Sequence, residues 1–128
     1  MKLLLDTHVI YWWMIEEKRL SSRARKAIGA RASRIFVSPA SAYELAYKHR
    51  EGLLPKAGAL VRNFDTELAE EGFAHLPITM EHGRRAGELA DDHGDPFDRL
   101  LAAQAIVEDM PIVSGDEKLR ALGAKLVW

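Results

Sequence analysis

The chain has 128 residues, enough for one domain with a buried core, and its 48% hydrophobic and 29% charged residues are a globular balance rather than a disordered one. A net charge of −1 argues against coating nucleic acid by bulk charge, and no apolar run approaches the ~20 residues of a membrane helix. The absence of cysteine removes disulfide and thiolate chemistry and is compatible with a cytoplasmic protein.

Taken in chain order, apolar runs and helical patterns alternate. "KLLL" reads as a short buried strand and "THVIYWWMIEE" as a helix packed on it. "SSRARKAIGAR" is a second helix with capping serines, and "RIFVS" a second strand. Ser38-Pro39 places an N-cap serine before a proline at the first helical position, and that helix runs to about Glu51, where Gly52 stops it. One helix is expected over "KAGALVRNFDTELAEEG", a strand at "FAHLPI", and a helix over "TMEHGRRAGELADD" opened by Thr79. A helix from Pro96, a strand at "PIVSGD", a short helical turn and a last strand at "AKLVW" complete residues 1–128 as a single domain. Alternating strands and helices with nearly continuous apolar strands predict a parallel sheet covered on both faces. Ligands of such sheets sit outside the carboxyl ends of the strands.

Four carboxylates are expected at that edge. Asp6 follows the first strand and Asp116 follows "PIVSG"; Glu44 lies early in the helix after "RIFVSP", and Asp98 in the first turn of its helix. Asp98 heads an apolar stripe of Leu101, Ala102 and Ala105, where a lone charge would lose hydration. Close carboxylates repel by about 4 kcal/mol per pair near a protein surface. A divalent cation among them relieves that repulsion, and all-oxygen ligation suits Mg²⁺ or Mn²⁺. Each residue also has a plainer role. Asp6 and Asp116 can cap helices, Glu44 can pair with Lys48 at i+4, and Asp95 before Pro96 has the pattern of an N-cap. From Lys18 to Arg34 there are seven basic residues and no acid, either a solvated face or a phosphate-attracting rim that includes Arg23, Arg25 and Lys26. His93, close to the acids in sequence, is a candidate phosphate contact.

Other chemistries fit less well. There is no phosphate-binding glycine loop, no zinc spacing among the five histidines, and no serine nucleophile elbow around Ser114. A haloacid-dehalogenase-like phosphatase needs a second aspartate two residues after the first, where this chain has His8. A catalytically inert binding module is the remaining alternative. The apolar segments Val9–Met14 and Tyr43–Leu54 predict faces covered by another chain, hence a homodimer and a groove for a partner segment.

The sequence resembles PIN-domain proteins of the VapC toxin type over nearly its whole length. "LLLDTHVIYWW" is similar to the family's opening strand and aspartate, and "SPASAYELAYKHREGLL" to its segment with a helical glutamate. "HGDPFDRLLAAQA" resembles the H-x-D-P-F-D-R-L-L-x-A-Q-A pattern of one branch. "PIVSGD" resembles the strand ending in the fourth acid, with Ser114-Gly115-Asp116 where threonine-arginine-aspartate is usual, so a basic contact is absent. The resemblance implies a three-layer α/β/α sandwich with a central parallel β-sheet. It also implies Mg²⁺- or Mn²⁺-dependent endoribonuclease activity and inhibition by a cognate antitoxin. The acidic set it carries across is Asp6, Glu44, Asp98 and Asp116, with Asp95 as an additional acid. Of these, Asp6, Asp98 and Asp116 are the expected metal ligands.

Overall fold

The computed structural model describes residues 1–92 and 94–128. His93, the candidate phosphate contact, lies outside the described residues. Five parallel strands, β1 (Lys2–Leu5), β2 (Arg34–Val37), β3 (Ala74–His75), β4 (Ile112–Val113) and β5 (Leu126–Val127), form one sheet in the order β3-β2-β1-β4-β5. The helices are α1 (Thr7–Ile15), α2 (Ser22–Gly29), α3 (Pro39–Arg50), α4 (Gly58–Arg62), α5 (Phe64–Glu70), α6 (Met80–Glu88), α7 (Pro96–Val107) and α8 (Glu117–Ala121).

Strand alternation divides the core in two. Leu3, Leu5, Ile35, Val37, Val113 and Val127 pack toward one face, with Ile10, Ala24, Leu45 and Leu68. Leu4, Phe36 and Ile112 point the other way, onto Leu101, Ala102, Ala105 and Leu119. Because both sheet faces are buried, β1 needs leucine at consecutive positions, and that is why it reads as an apolar run rather than an alternation. Each fully buried leucine contributes roughly 1.5–3 kcal/mol by leaving water. The expected three-layer arrangement is the one observed.

Several boundaries differ from expectation for local reasons. The helix expected over residues 56–72 is broken at Asn63, whose backbone leaves helical geometry (φ −120, ψ 34). Its Nδ2 donates to the Ala59 carbonyl at 3.1 Å, an acceptor that its own backbone N–H also uses. The bend lets Leu60 on α4 and Leu68 on α5 reach the same core. The strand expected at "FAHLPI" pairs only at Ala74–His75, and Pro77, lacking an N–H, cannot extend the ladder. Helix α6 stops at Glu88 rather than Asp92. Arg99 fixes that end: Nε donates to the Ala86 carbonyl (3.0 Å), Nη2 to that of Leu89 (2.9 Å) and Nη1 to that of Asp91 (2.6 Å). Gly52 ends α3 as expected, at a φ of 78° that disfavours any side chain.

The apolar segment at Val9–Met14 is absorbed more fully than expected. Val9, Ile10 and Tyr11 are buried, and Trp12, Trp13 and Met14 pack against the core. Trp13 lies against Phe73 and donates its indole N–H to Glu71 Oε1 at 2.6 Å. This helix therefore keeps less free surface for a partner than its composition suggests. Tyr43, Tyr47 and Leu53, on and just after α3, are among the exposed apolar residues instead.

Candidate active site

The sheet order places a topological switch beside β1. From β1 the chain moves to β2 and β3 on one side, then crosses to β4 on the other. Adjacent parallel strands whose connections leave in opposite directions open a crevice at their carboxyl ends. Here those ends carry Asp6 after β1, and Ser114, Gly115 and Asp116 after β4. Proximity of the two segments follows from the strand register, which sets Leu5 against Val113.

A short hydrogen-bond chain links them. The Asp116 backbone N–H donates to Ser114 Oγ at 3.0 Å, and the Ser114 hydroxyl donates to Asp6 Oδ2 at 2.7 Å. Asp6 Oδ1 accepts from the Thr7 backbone N–H at 2.7 Å, capping α1. Asp6 is only 7% exposed. Burial pushes its carboxyl up to about 6, and the negative charge of Asp98 pushes in the same direction. The hydrogen bonds from Ser114 and Thr7 and the nearby His8 pull the other way without offsetting the burial. Asp98 thus stands close enough to act on Asp6 electrostatically, and the two segments farthest apart in the acidic pattern do meet.

The other acids are placed less uniformly. Asp95 caps α7, accepting from the backbone N–H groups of Phe97 (2.9 Å) and Asp98 (3.4 Å), which is the plainer of its two expected roles. Asp116 lines the same cleft as Asp6 while its Oδ1 caps α8 through the Lys118 N–H at 3.0 Å. Glu44 pairs with Lys48 at 3.1 Å, both side chains mostly buried. The Thr7 and Ser41 hydroxyls, 2.9 Å apart and buried, pin α3 to α1 one turn before Glu44. Tyr43, next to Glu44, packs its ring on Phe97, next to Asp98, at 5.4 Å. Helices α1, α3 and α7 are therefore locked together around the acidic residues.

Whether these residues suit a metal ion is a question of donor chemistry. Among the described residues no three His, Asp or Glu side chains converge on a common point, so the expected set of Asp6, Asp98 and Asp116 is not drawn together as a three-carboxylate cage. A buried carboxylate within electrostatic reach of another is nevertheless a hard, oxygen-only donor set. Mg²⁺ in particular takes one or two carboxylates and completes its octahedron with water and phosphate oxygens. The donor set fits that mode.

The cleft, about 290 Å³ in volume, is lined by Asp6, His8, Trp12, Ser114, Asp116 and Trp128. Arg23, Arg25 and Lys26 are exposed on α2, Arg25 standing 3.8 Å from Glu17. Arg19, from the same basic run, lies over the ring of Trp12, its guanidinium 5.8 Å from the ring centre and 3.5 Å from Glu16. Sequence reasoning passed over Ser114 because it sought a nucleophile there. Its position two residues before Asp116, at the end of a strand beside β1, is the signal for a linking hydroxyl.

Comparison with known proteins agrees with this fold. The PIN domain family matches residues 3–125. Ribonuclease VapC22 of Mycobacterium tuberculosis is 36% identical over 119 residues, covering 92% of this chain and 89% of that protein. Among solved structures, VapBC2 from Rickettsia felis, bound to a promoter DNA fragment, superposes with a TM-score of 0.68 at 18% identity, covering 98% of this chain and 97% of its own. FitAcB from Neisseria gonorrhoeae superposes at 0.64 with 17% identity, covering 97% and 95%. At such identities the two structures speak for the fold. With the family match spanning nearly the whole chain and a relative above one-third identity, this protein belongs to the PIN-domain family.

Proposed function

We propose that this chain is a metal-dependent endoribonuclease, the toxin of a toxin–antitoxin pair. The observation that carries the proposal is the buried Asp6 carboxylate, tied through Ser114 to the Asp116 segment and facing the charge of Asp98 at the sheet's switch point. The similarity to a VapC ribonuclease supports RNA as the substrate, and the fold shared with a VapBC complex supports an antitoxin as the partner.

Asp6 and Asp98 would hold a Mg²⁺ or Mn²⁺ ion, with Asp116 reaching it directly or through water. When bound, such an ion lowers the pKa of a coordinated water and neutralises charge on a phosphodiester under attack. The protein's own part is preorganisation. Ser114 holds Asp6 in one rotamer, and Thr7–Ser41 holds the helix that carries Glu44. Glu44, freed from Lys48 by an incoming phosphate, would orient the attacking water or join the ligand set; Lys48 would then meet the phosphate oxygens. The exposed rings of Tyr43 and Tyr47, stacked 6.3 Å apart, support a homodimer through α3.

The test is cleavage of single-stranded RNA by the purified chain with Mg²⁺, with Mn²⁺ and with EDTA. Cleavage is expected only with metal and is expected to vanish in Asp6→Asn and Asp98→Asn. Full nuclease activity of either variant in metal-replete buffer would overturn the site, and equal cleavage in EDTA would overturn the metal.

A further inference from the structure

We propose that Trp12 and Trp128 form a seat for one unpaired nucleobase next to the phosphate that is cut, a specificity-determining element that rests on the ribonuclease reading above. The two indoles come from opposite ends of the chain and meet at a ring-centre distance of 6.0 Å with their planes 47° apart. They make an open corner rather than a closed stack. That corner lines the same cleft as Asp6 and Asp116. A base resting on it therefore places its own backbone at the carboxylates.

Three features separate these indoles from ordinary core tryptophans. First, Trp13 is packed on Phe73 with its N–H donated to Glu71. Among the described residues the N–H groups of Trp12 and Trp128 have no hydrogen-bond partner. Neither indole is fully buried, and neither donor is committed to another side chain. Second, Trp128 is 37% exposed, and its seat is cut to shape. A Cβ at Gly115 would stand 2.8 Å from Trp128 Nε1, so only glycine lets the indole lie directly on the loop joining Ser114 to Asp116. The distance from ring to acid is thus set by backbone contact. Third, Arg19 stands over Trp12 at 5.8 Å, and His8 lies 5.9 Å from the same ring. Aromatic faces for bases beside a cation for the backbone, here Arg19, are the combination by which single strands are bound without sequence-specific hydrogen bonds.

An RNA base is the occupant these observations favour over an antitoxin side chain. The corner shares its cleft with two carboxylates, where a phosphate must sit during cleavage, and stacking suits any base because each has a π-face. A single-stranded oligonucleotide that the native protein cuts is the substrate for the test, remade with one abasic position at each site around the cut. One abasic position beside the cut is expected to raise KM about tenfold with native protein and to add nothing further in Trp128→Ala, while Trp128→Phe keeps most of the affinity. The abasic series leaves the protein unaltered, so folding cannot produce the effect.

Binding is read in parallel from quenching of tryptophan fluorescence by the same oligonucleotides on Asp98→Asn protein in EDTA. Quenching that one abasic position abolishes supports the seat even if no RNA is cut, in which case the nuclease reading alone fails. Cleavage that is indifferent to every abasic position, or abasic and Trp128→Ala effects that multiply independently, would overturn the seat and leave the nuclease standing. Quenching by an antitoxin peptide but by no RNA would likewise overturn it.

Discussion

Ser114 donates its hydroxyl to Asp6 Oδ2 at 2.7 Å, joining residues 108 positions apart. The bond belongs to neighbouring strands whose carboxyl ends open the crevice, and it fixes one oxygen of the acid while Thr7 fixes the other. Cut off from water, the carboxylate keeps its charge only against a cost that these two hydrogen bonds do not offset, which is why its pKa rises.

That cost has a sign that can be measured. With the folded pKa of Asp6 near 6 and the unfolded value at 3.8, the native state holds the proton more tightly. Asp6 therefore lowers stability as pH rises from about 4 to 6, by about 3 kcal/mol at most, and by a constant amount above that. Asp6→Asn removes the charge. Its Oδ1 still accepts from Thr7, and its amide can donate to the Ser114 oxygen. In metal-free buffer the variant should gain on the native protein in urea midpoint across this window. A difference independent of pH would mean that Asp6 is not strained when ionised.

Asp95 and Asp98 differ by role although they are one turn apart. Asp95 spends its carboxylate on the α7 N-terminus, and asparagine caps helices about as well. Asp95→Asn should keep most RNA cleavage and change stability by less than about 0.5 kcal/mol, whereas Asp98→Asn should lose cleavage. Equal inactivity of the two variants in a single-turnover assay would mean that Asp95 is more than a cap.

Arg99 is a structural residue by its contacts. Its guanidinium satisfies three carbonyls at and beyond the end of α6. Lysine, with one nitrogen, cannot span them. Arg99→Lys should destabilise the fold by roughly 2–3 kcal/mol, read as a lower denaturation midpoint with unchanged m-value.

If α2 meets the RNA backbone, reversing Arg23, Arg25 and Lys26 to glutamate should flatten the plot of log affinity against log salt. On a single strand the slope should fall by about 0.7 for each phosphate that is no longer neutralised. Metal affinity, measured by calorimetry, should not move. An unchanged salt slope would make this run a solvated face.

The apolar surface on α3 makes a prediction about assembly. Tyr43, 62% exposed, stacks on Tyr47 and borders a groove with Ile78, Phe97 and Leu100. Native protein should scatter light as a dimer, and Tyr43→Glu as a monomer. A native monomer at millimolar concentration would rule out this interface.

How much of this was legible in the sequence depends on the range of the forces involved. The apolar run of β1, the Ser38-Pro39 start of α3, the glycine that ends it and the Asp95 cap are local, so composition and spacing within a few residues sufficed to read them. The parallel sheet also followed, because strands buried on both faces leave a distinct continuous pattern. Only the tertiary structure decided the rest. Asn63 breaks a helix that periodicity favours because two leucines must reach one core. Glu44 keeps a lysine partner within its own helix, while Asp98 comes to bear on Asp6 from a distant one. Ser114 becomes the link between two acids, and Trp128 reaches the cleft wall over Gly115, through contacts that exist only once β4 and β5 lie beside β1. Hydrogen bonds and ring contacts between residues a hundred positions apart leave no periodic trace in the chain; the strand order creates them.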